Sequence, residues 1–359
     1  MRSLMRPDLM DVNPYVSAYV LSGGVISPVR LDANENPWAP FGPIGEVCLS
    51  NRYAASEEAA LYSRVAEFLG VTVDEIILGR GSSEAIDLLL RLFCRAGQDE
   101  ILICPPTFSM YAVNAKVQGA KVLSVPLMDN GQLNLSEIEK TCTDNTKLIF
   151  IPTPNAPMGH TMNREDMLKL CQMRAGKSVI VADEAYVELG ETPEGLMAET
   201  KIYPNLIILR TFSKAHGLAG ERIGLAFGNP EIIEMLKRIS APYGLAQSSI
   251  RAALDALSPA GLALYRERVA MLKSECKRLI RLLPQSASVV RVFDSCTNFL
   301  LIQTTNAQET EKELLKNGIR VRTKVCAIPE TLRLSIGTPE ENDAMLAALG
   351  VTDPDKKKE

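Results

Sequence analysis

"LIILRTFSKAHGLAGERIGLAF" occupies residues 206–227. A short apolar run, Leu206–Leu209, ends in Arg210 and Thr211, and a glycine-rich turn then carries Ser213 and Lys214 before a second apolar run begins. Surface lysines are common and need no reason. A lysine just past the end of a buried strand is placed for chemistry. The same texture recurs outward from this stretch, from about Val71 to Gly228. The apolar runs "EIILG", "EILICP", "AKVLSVP", "KLIFIP", "SVIVAD", "LIILRT" and "RIGLAF" each end in turn residues. Between several of them lie amphipathic stretches such as "SEAIDLLLRLFCRAG" and "REDMLKLCQMRAG". The second reaches Arg174 and then Gly176, a helix stop signal. Such alternation predicts an α/β fold with a parallel sheet covered by helices on both faces.

Beyond "NPEIIEMLKRIS" the pattern changes. "ALYRERVAMLKSECKRLIRLLPQ" reads as one long amphipathic helix, and "SVVRVFDSCTNFLLIQT", "GIRVRT" and "TLRLSIG" read as strands of a smaller α+β unit. The first fifty or so residues are less regular and are expected to wrap onto that unit or onto a partner subunit. A chain of 359 residues exceeds what one core usually spans. The expected division is an N-terminal arm with part of the small domain over 1–50, a large domain over 51–250 and a small C-terminal domain over 251–359.

The formal net charge of −4 is mixed along the chain, with no basic stripe for nucleic acid. Eight cysteines are scattered without a C-x-x-C pair, and with only two histidines no metal site is expected. Several thiols sit in apolar runs, where they act as small hydrophobes. With no secretory signal and no long apolar span, the expectation is a cytoplasmic protein that does not enter a membrane.

Ligands of open α/β sheets bind beyond the carboxyl ends of the strands. After "EIILG", Ser82 or Ser83 is a candidate N-cap, and the free N–H groups of that turn suit a phosphate. After "EILICP" come Phe108 and Tyr111, either ordinary packing or a face for a planar ligand. After "KLIFIP" a Pro/Gly loop places Asn155, and Asp183 closes "SVIVAD" as a carboxylate that needs a partner if buried. After "LIILRT" come Ser213, Lys214 and Arg222. A lysine amine condenses with an aldehyde. An aspartate facing a pyridine nitrogen keeps it protonated, and a phosphate takes a helix start, hydroxyls and a cation. Together these are the parts of a pyridoxal 5′-phosphate (PLP) site.

"VADEAY", "RTFSKAHGLAGERIG", "GRGSSEAID", "LDANENP", "NRYAA" and "TLRLSIGTPEEN", in this order and spacing, resemble the fold-type I PLP aminotransferases, and within them the histidinol-phosphate aminotransferases. The likeness runs from about Asn13 to Leu349. It implies a large domain whose mainly parallel seven-stranded sheet lies between helices, plus a smaller α+β domain. The activity it implies is reversible transfer of an amino group from L-histidinol phosphate to 2-oxoglutarate in histidine biosynthesis. By motif, Lys214 matches the cofactor-bearing lysine and general base, Asp183 the pyridinium partner, and Tyr186 the tyrosine on the ring 3′-oxygen. Ser213, Arg222 and the N–H groups of Ser82 and Ser83 match phosphate ligands, and Phe108 the ring-stacking position. Tyr53 matches a tyrosine that reaches the neighbouring subunit's cofactor, which implies a homodimer with shared sites. Arg322 and Arg333 match arginines that bind the substrate anion, with Tyr15 and Asn34 nearby. Bidentate arginine accepts carboxylate or phosphate.

Several residues depart from that pattern. Ala156 replaces an asparagine facing the 3′-oxygen, with Asn155 beside it as a candidate substitute. Ala54, His216, Glu221 and Gly244 are further departures. They reflect either drift within a divergent branch or altered specificity, with His216, two residues past the lysine, as a second acid or base, a substrate contact, or a packed or solvated side chain. Aromatic aminotransferases and threonine-phosphate decarboxylases share the scaffold, and a PLP-binding protein without turnover is the alternative of another class. The complete Lys214–Asp183–Tyr186 set argues against the last.

Overall fold

A computed structural model describes residues 1–24, 31, 33–36, 38, 51–323 and 328–354. Cys48 and Cys326 lie outside them, and the six other cysteines are free thiols. All seven expected strands of the first sheet form: β1 Ile76–Gly79, β2 Glu100–Ile103, β3 Lys121–Ser124, β4 Thr146–Pro152, β5 Val179–Asp183, β6 Leu206–Thr211 and β7 Gly224–Gly228. Their order is β1-β7-β6-β5-β4-β2-β3. The pairs among β2 to β6 are parallel, whereas β7 runs antiparallel to both β6 and β1. That reversal follows from the short 212–223 connection. It forms no helix, and the chain turns back beside β6 to pair antiparallel.

The helices are α1 Ala18–Leu21, α2 Ala55–Leu69, α3 Ser82–Phe93, α4 Met110–Gln118, α5 Leu135–Thr141 and α6 Arg164–Met173, followed by α7 Pro230–Ile239, α8 Gln247–Ala256, α9 Pro259–Leu282, α10 Ala307–Lys316 and α11 Pro339–Ala348. Strand alternation splits the sheet's side chains between two cores. Ile180, Ala182, Leu206 and Ile208 pack with residues of α2, α6 and α8. Val179, Val181, Ile207 and Leu209 pack with residues of α3, α4 and α7. Asp183 and Thr211 continue the second set; Arg210 continues the first.

The smaller sheet is antiparallel, in the order β10-β11-β9-β8, from β8 Val289–Val292, β9 Phe299–Thr304, β10 Arg322–Thr323 and β11 Thr331–Ser335. Its core draws on α9, α10 and α11. The segment 288–304 is thus two strands, and "GIRVRT" contributes only two paired residues. The beginning of the chain corrects an expectation. Leu4 and Met5 are buried against α3 and α7 of the large unit, and the Arg6 N–H donates to the Leu92 carbonyl at 2.9 Å. Apolar burial on the helices of the large sheet, rather than on the small unit, holds these first residues.

Candidate active site

Beyond the carboxyl ends of β4, β5 and β6 lies a cavity of about 230 Å³. It brings together Ser82, Ser83, Phe108, Asp183, Tyr186, Ser213, Lys214 and Arg222. Its wall also includes Tyr111, Thr211 and Ala156.

One end of the cavity is built for an anion. The N-cap of α3 is Gly81, at φ 77°, with no side-chain cap, so Ser82 and Ser83 are the first helical residues and not caps. A serine cap would turn its oxygen onto the first-turn N–H groups. Glycine leaves those donors to the cavity, where the helix dipole adds positive potential. Across from them the Arg222 guanidinium donates to Ser213 Oγ and to the Ala219 carbonyl, both at 3.1 Å. Ser213 Oγ also accepts from the Thr211 hydroxyl at 3.0 Å. Arg222 itself stands at φ 54°, a costly backbone for a side chain of its size. Gly224 of β7 closes the cup from behind. A Cβ there would lie 2.3 Å from the Ser82 nitrogen.

At the other end stands Asp183, 5% exposed. Its Oδ2 accepts from the Tyr111 hydroxyl at 2.7 Å and its Oδ1 from the Ala185 N–H at 3.2 Å. Burial pushes this carboxyl above its ordinary range, while the Tyr111 hydroxyl, the Ala185 N–H and the Lys214 charge pull it back. Lys214 sits between the two ends, its amine 5.3 Å from the centre of the Tyr186 ring. Burial lowers its pKa, and the nearby Arg333 and Arg222 charges lower it further. A lysine so placed holds more of the neutral, nucleophilic amine. Burial raises the Tyr186 phenol to about 12, against the pull of Arg333. Tyr186 meets Phe299 edge-on at 5.2 Å, and the Arg333 guanidinium lies 5.3 Å from that same ring. Phe299 therefore links the small sheet to the lysine's surroundings.

Arg322 faces Arg333 in register across β10 and β11, so the two guanidinium groups share a face of the small sheet. Neither lines the cavity itself. Asn155 is fully buried, its amide donating to the Pro106 carbonyl at 3.1 Å, and Ala156 takes the wall position instead. Tyr53 stacks on Tyr243 at 4.1 Å, and Tyr15 meets Tyr243 edge-on at 6.0 Å. Both are exposed and stand away from this chain's cavity. Asn34 is exposed at φ 52°, next to Glu35, which pairs with Arg52. His216 turns away from the cavity into Phe212, Phe68 and Tyr265, the last stacked on it at 4.4 Å. Burial lowers its pKa to about 4, and its Nδ1 has no hydrogen-bond partner. This histidine is a neutral packed ring, not a second acid or base.

Sequence reading placed Tyr111 at the right edge but missed its bond to Asp183, and it missed Thr211. The donor set as a whole asks for a particular occupant. It needs an anionic group over α3, a carbonyl within reach of an amine, and a cationic ring N–H against a buried carboxylate. PLP carries all three. Among the described residues no cluster of metal-ligating side chains occurs.

Comparison with known proteins agrees with this geometry. The family model described as aminotransferase class I and II matches residues 31–349. A histidinol-phosphate aminotransferase of Stenotrophomonas maltophilia is 41% identical over 355 residues, 97% of this chain and 96% of that protein. The crystal structure of the histidinol-phosphate aminotransferase from Clostridium acetobutylicum aligns with a TM-score of 0.75 at 27% identity, over 83% of this chain and 89% of that one. The Sinorhizobium meliloti histidinol-phosphate aminotransferase, solved with pyridoxal 5′-phosphate, shares the fold with a TM-score of 0.72 at 24% identity, over 83% of this chain and 82% of that one.

Proposed function

The chain belongs to the class I and II aminotransferases, PLP-dependent enzymes, and we propose that it transfers the amino group of L-histidinol phosphate to 2-oxoglutarate. The products are imidazole acetol phosphate and L-glutamate, and the reaction is a reversible step of histidine biosynthesis. The observation that carries this reading is the likeness to the Stenotrophomonas enzyme over 97% of the chain. The cavity agrees with it in its anion cup, its amine and its buried carboxylate.

When bound, PLP supplies an aldehyde that takes up the amino group and a protonated ring that draws electrons from the substrate Cα. The chain's own residues supply the rest. The N–H groups of Ser82 and Ser83, the Ser213 hydroxyl and Arg222 hold the phosphate. Asp183 would keep the proton on the ring nitrogen, Phe108 would support the ring's face and Tyr186 would donate to the 3′-oxygen. Asn155, bonded to the Pro106 carbonyl and outside the cavity wall, would not reach that oxygen as placed. Lys214 Nζ is the group placed to hold the cofactor and to carry a proton from the substrate Cα. Arg333 and Arg322 bind the substrate anion, phosphate in one half-reaction and carboxylate in the other.

The working molecule is a homodimer. Tyr15, Val20, Leu21, Trp38 and Tyr53 are exposed large side chains on or near the N-terminal arm, and a second copy would cover such a surface. In that assembly Tyr53 serves the neighbour's cofactor, and Tyr15 and Asn34 bind substrate with Arg322 and Arg333. The domain division proposed is 1–50, 51–250 and 251–359, with the first residues packed on the large unit. Cytoplasmic residence fits free thiols, of which Cys94, Cys104, Cys171 and Cys276 are buried. No helix among the described residues is long and apolar enough to cross a membrane.

A visible absorbance spectrum tests the function. The band of the lysine-bound cofactor is expected to vanish with L-histidinol phosphate and to return with 2-oxoglutarate. Carbon dioxide release from an amino acid with no keto acid present would replace the transaminase by a decarboxylase. A band that answers no amine would leave a binding protein without turnover.

A further inference from the structure

We propose that Tyr111 is a positioning residue of this site, holding the Asp183 carboxylate in orientation and charge while it props the aromatic face at Phe108. The inference rests on the PLP reading above and deepens it.

Tyr111 is the largest fully buried side chain of the molecule's described part, and its hydroxyl is the only side-chain donor recorded on Asp183 there. The ring is fixed from two sides. It stacks on Phe150 of β4 at 4.9 Å with an interplanar angle of 12°, and it meets Phe108 edge-on at 5.5 Å. A rigid ring aims its oxygen at one point, here Oδ2 at 2.7 Å. The Ala185 N–H takes Oδ1, so the carboxylate cannot rotate without breaking one bond or the other. Both oxygens keep a lone pair for a ring N–H in the cavity.

The chemical consequence concerns where a proton resides. A carboxylate buried this deeply favours its neutral form unless donors compensate. Burial and the Asp183 charge raise the Tyr111 phenol well above its usual range, so it stays a donor at any working pH. Remove that hydroxyl and the Asp183 oxygen holds a proton more strongly. The proton shared with a pyridine nitrogen then moves toward the carboxylate, and the ring loses positive charge. The stacked contacts do not change, because phenylalanine fills the same space.

The test uses the holoenzyme with ¹⁵N-labelled PLP in four forms: wild type, Tyr111→Phe, Asp183→Asn and the double variant. Tyr111→Phe is expected to weaken PLP binding by about tenfold or more, the worth of a hydrogen bond to a charged group. Its pyridine ¹⁵N resonance is expected to move toward the unprotonated position. In the Asp183→Asn background the same change is expected to add little, because the pair acts as one unit. An unmoved resonance with unchanged affinity overturns the inference while the PLP reading stands. An equal loss with and without the Asp183 carboxylate also overturns it, since the hydroxyl would then act through packing alone. A wild type that takes up no PLP defeats both.

Discussion

Replacing Gly224 by alanine should dismantle the anion cup while leaving every ligand of it in the sequence. The φ of Gly224 is not in the left-handed region, so alanine meets no backbone strain and only space is at issue. The added Cβ would stand 2.3 Å from the Ser82 nitrogen, 2.5 Å from the Gly81 carbonyl carbon and 2.8 Å from the Gly81 Cα. All three are backbone atoms, so no side chain can swing aside. Ordinary contact needs about 3.5 Å, so the start of α3 must retreat by roughly 1 Å from β7. Overpacking of this kind costs about 1–3 kcal/mol of stability. The effect on the cup is larger. A shift of roughly 1 Å takes the donors out of hydrogen-bond geometry, whose donor–acceptor distances span only about 2.7–3.2 Å. Losing the two N–H donors of Ser82 and Ser83 to a charged oxygen, at about 1.5–3 kcal/mol each, predicts PLP binding weaker by about a hundredfold or more. The assay is a titration of the apoprotein with PLP, read at the visible band, beside a melting curve. Gly220→Ala is the control, since a Cβ there meets nothing within 4 Å. If Gly224→Ala bound PLP as the wild type does, with an unchanged melting temperature, the assignment of the phosphate to the start of α3 would be refuted.

Other perturbations separate further parts of the argument. His216→Phe should leave turnover unchanged and the melting temperature equal or higher, because the unmade hydrogen bond of Nδ1 costs about 1–3 kcal/mol and phenylalanine removes it; a collapse of kcat with PLP still bound would restore the histidine as a chemical group. Arg333→Gln should raise KM for the phosphate substrate, losing about tenfold or more in kcat/KM; unchanged kinetics would move the anion elsewhere. Burial raises Glu188 from 4.5 to about 7, beside Arg210, Glu184 and Tyr265. A carboxyl raised in this way contributes stability below the unfolded pKa that is lost as pH climbs to the folded value, here roughly 3 kcal/mol over that window. Glu188→Gln should therefore gain melting temperature relative to wild type between about pH 5 and pH 8, and a pH-independent difference would show that the Arg210 charge keeps Glu188 ionised.

Much of this was legible because strand ends and helix starts leave local marks. Each apolar run of the large sheet became a strand, and Asp183, Ser213 and Lys214 followed from reading what came next. What stayed hidden depends on distance or on a single residue of phase. Tyr111 and Asp183 are 72 residues apart, and nothing local joins a tyrosine on α4 to the end of β5. Asn155 and Ala156 are neighbours in a loop without period, so composition alone does not tell which one faces the cavity. Serine outranks glycine at helix caps only where the cap must satisfy its own helix. At α3 an uncapped start is what the site uses, and the local preference pointed one residue too far along. The closeness of His216 to Lys214 in sequence leaves a packed ring and a chemical group both open, because its environment is set by Phe68 from α2 and Tyr265 from α9.

The same alternation that divides the core also explains how charged residues that never line the cavity hold it in shape. Asp183 and Thr211 end their strands on the face of α3 and α4, whereas Arg210 ends on the opposite face. There its guanidinium donates to Glu184 Oε2 at 3.1 and 2.9 Å, and to the carbonyls of Pro193 and Glu194 at 3.2 and 2.8 Å. Glu184 Oε1 accepts the Leu196 N–H at 2.6 Å, and Gly195, at φ 59°, lies so close that a Cβ would reach the carboxylate. Glu184 is fully buried and Arg210 is 6% exposed. Removing one member of such a pair typically costs about 3–5 kcal/mol, because the other is stranded. The pair joins the residue after Asp183 to the residue before Thr211, behind the cavity. It thereby fixes the separation of the β5 and β6 ends, and with it the distance between the carboxylate that holds the ring nitrogen and the loop that carries Lys214. A site needing an amine and a carboxylate at set positions on neighbouring strands gains that constancy from an ion pair on the dry side, where no substrate competes for it.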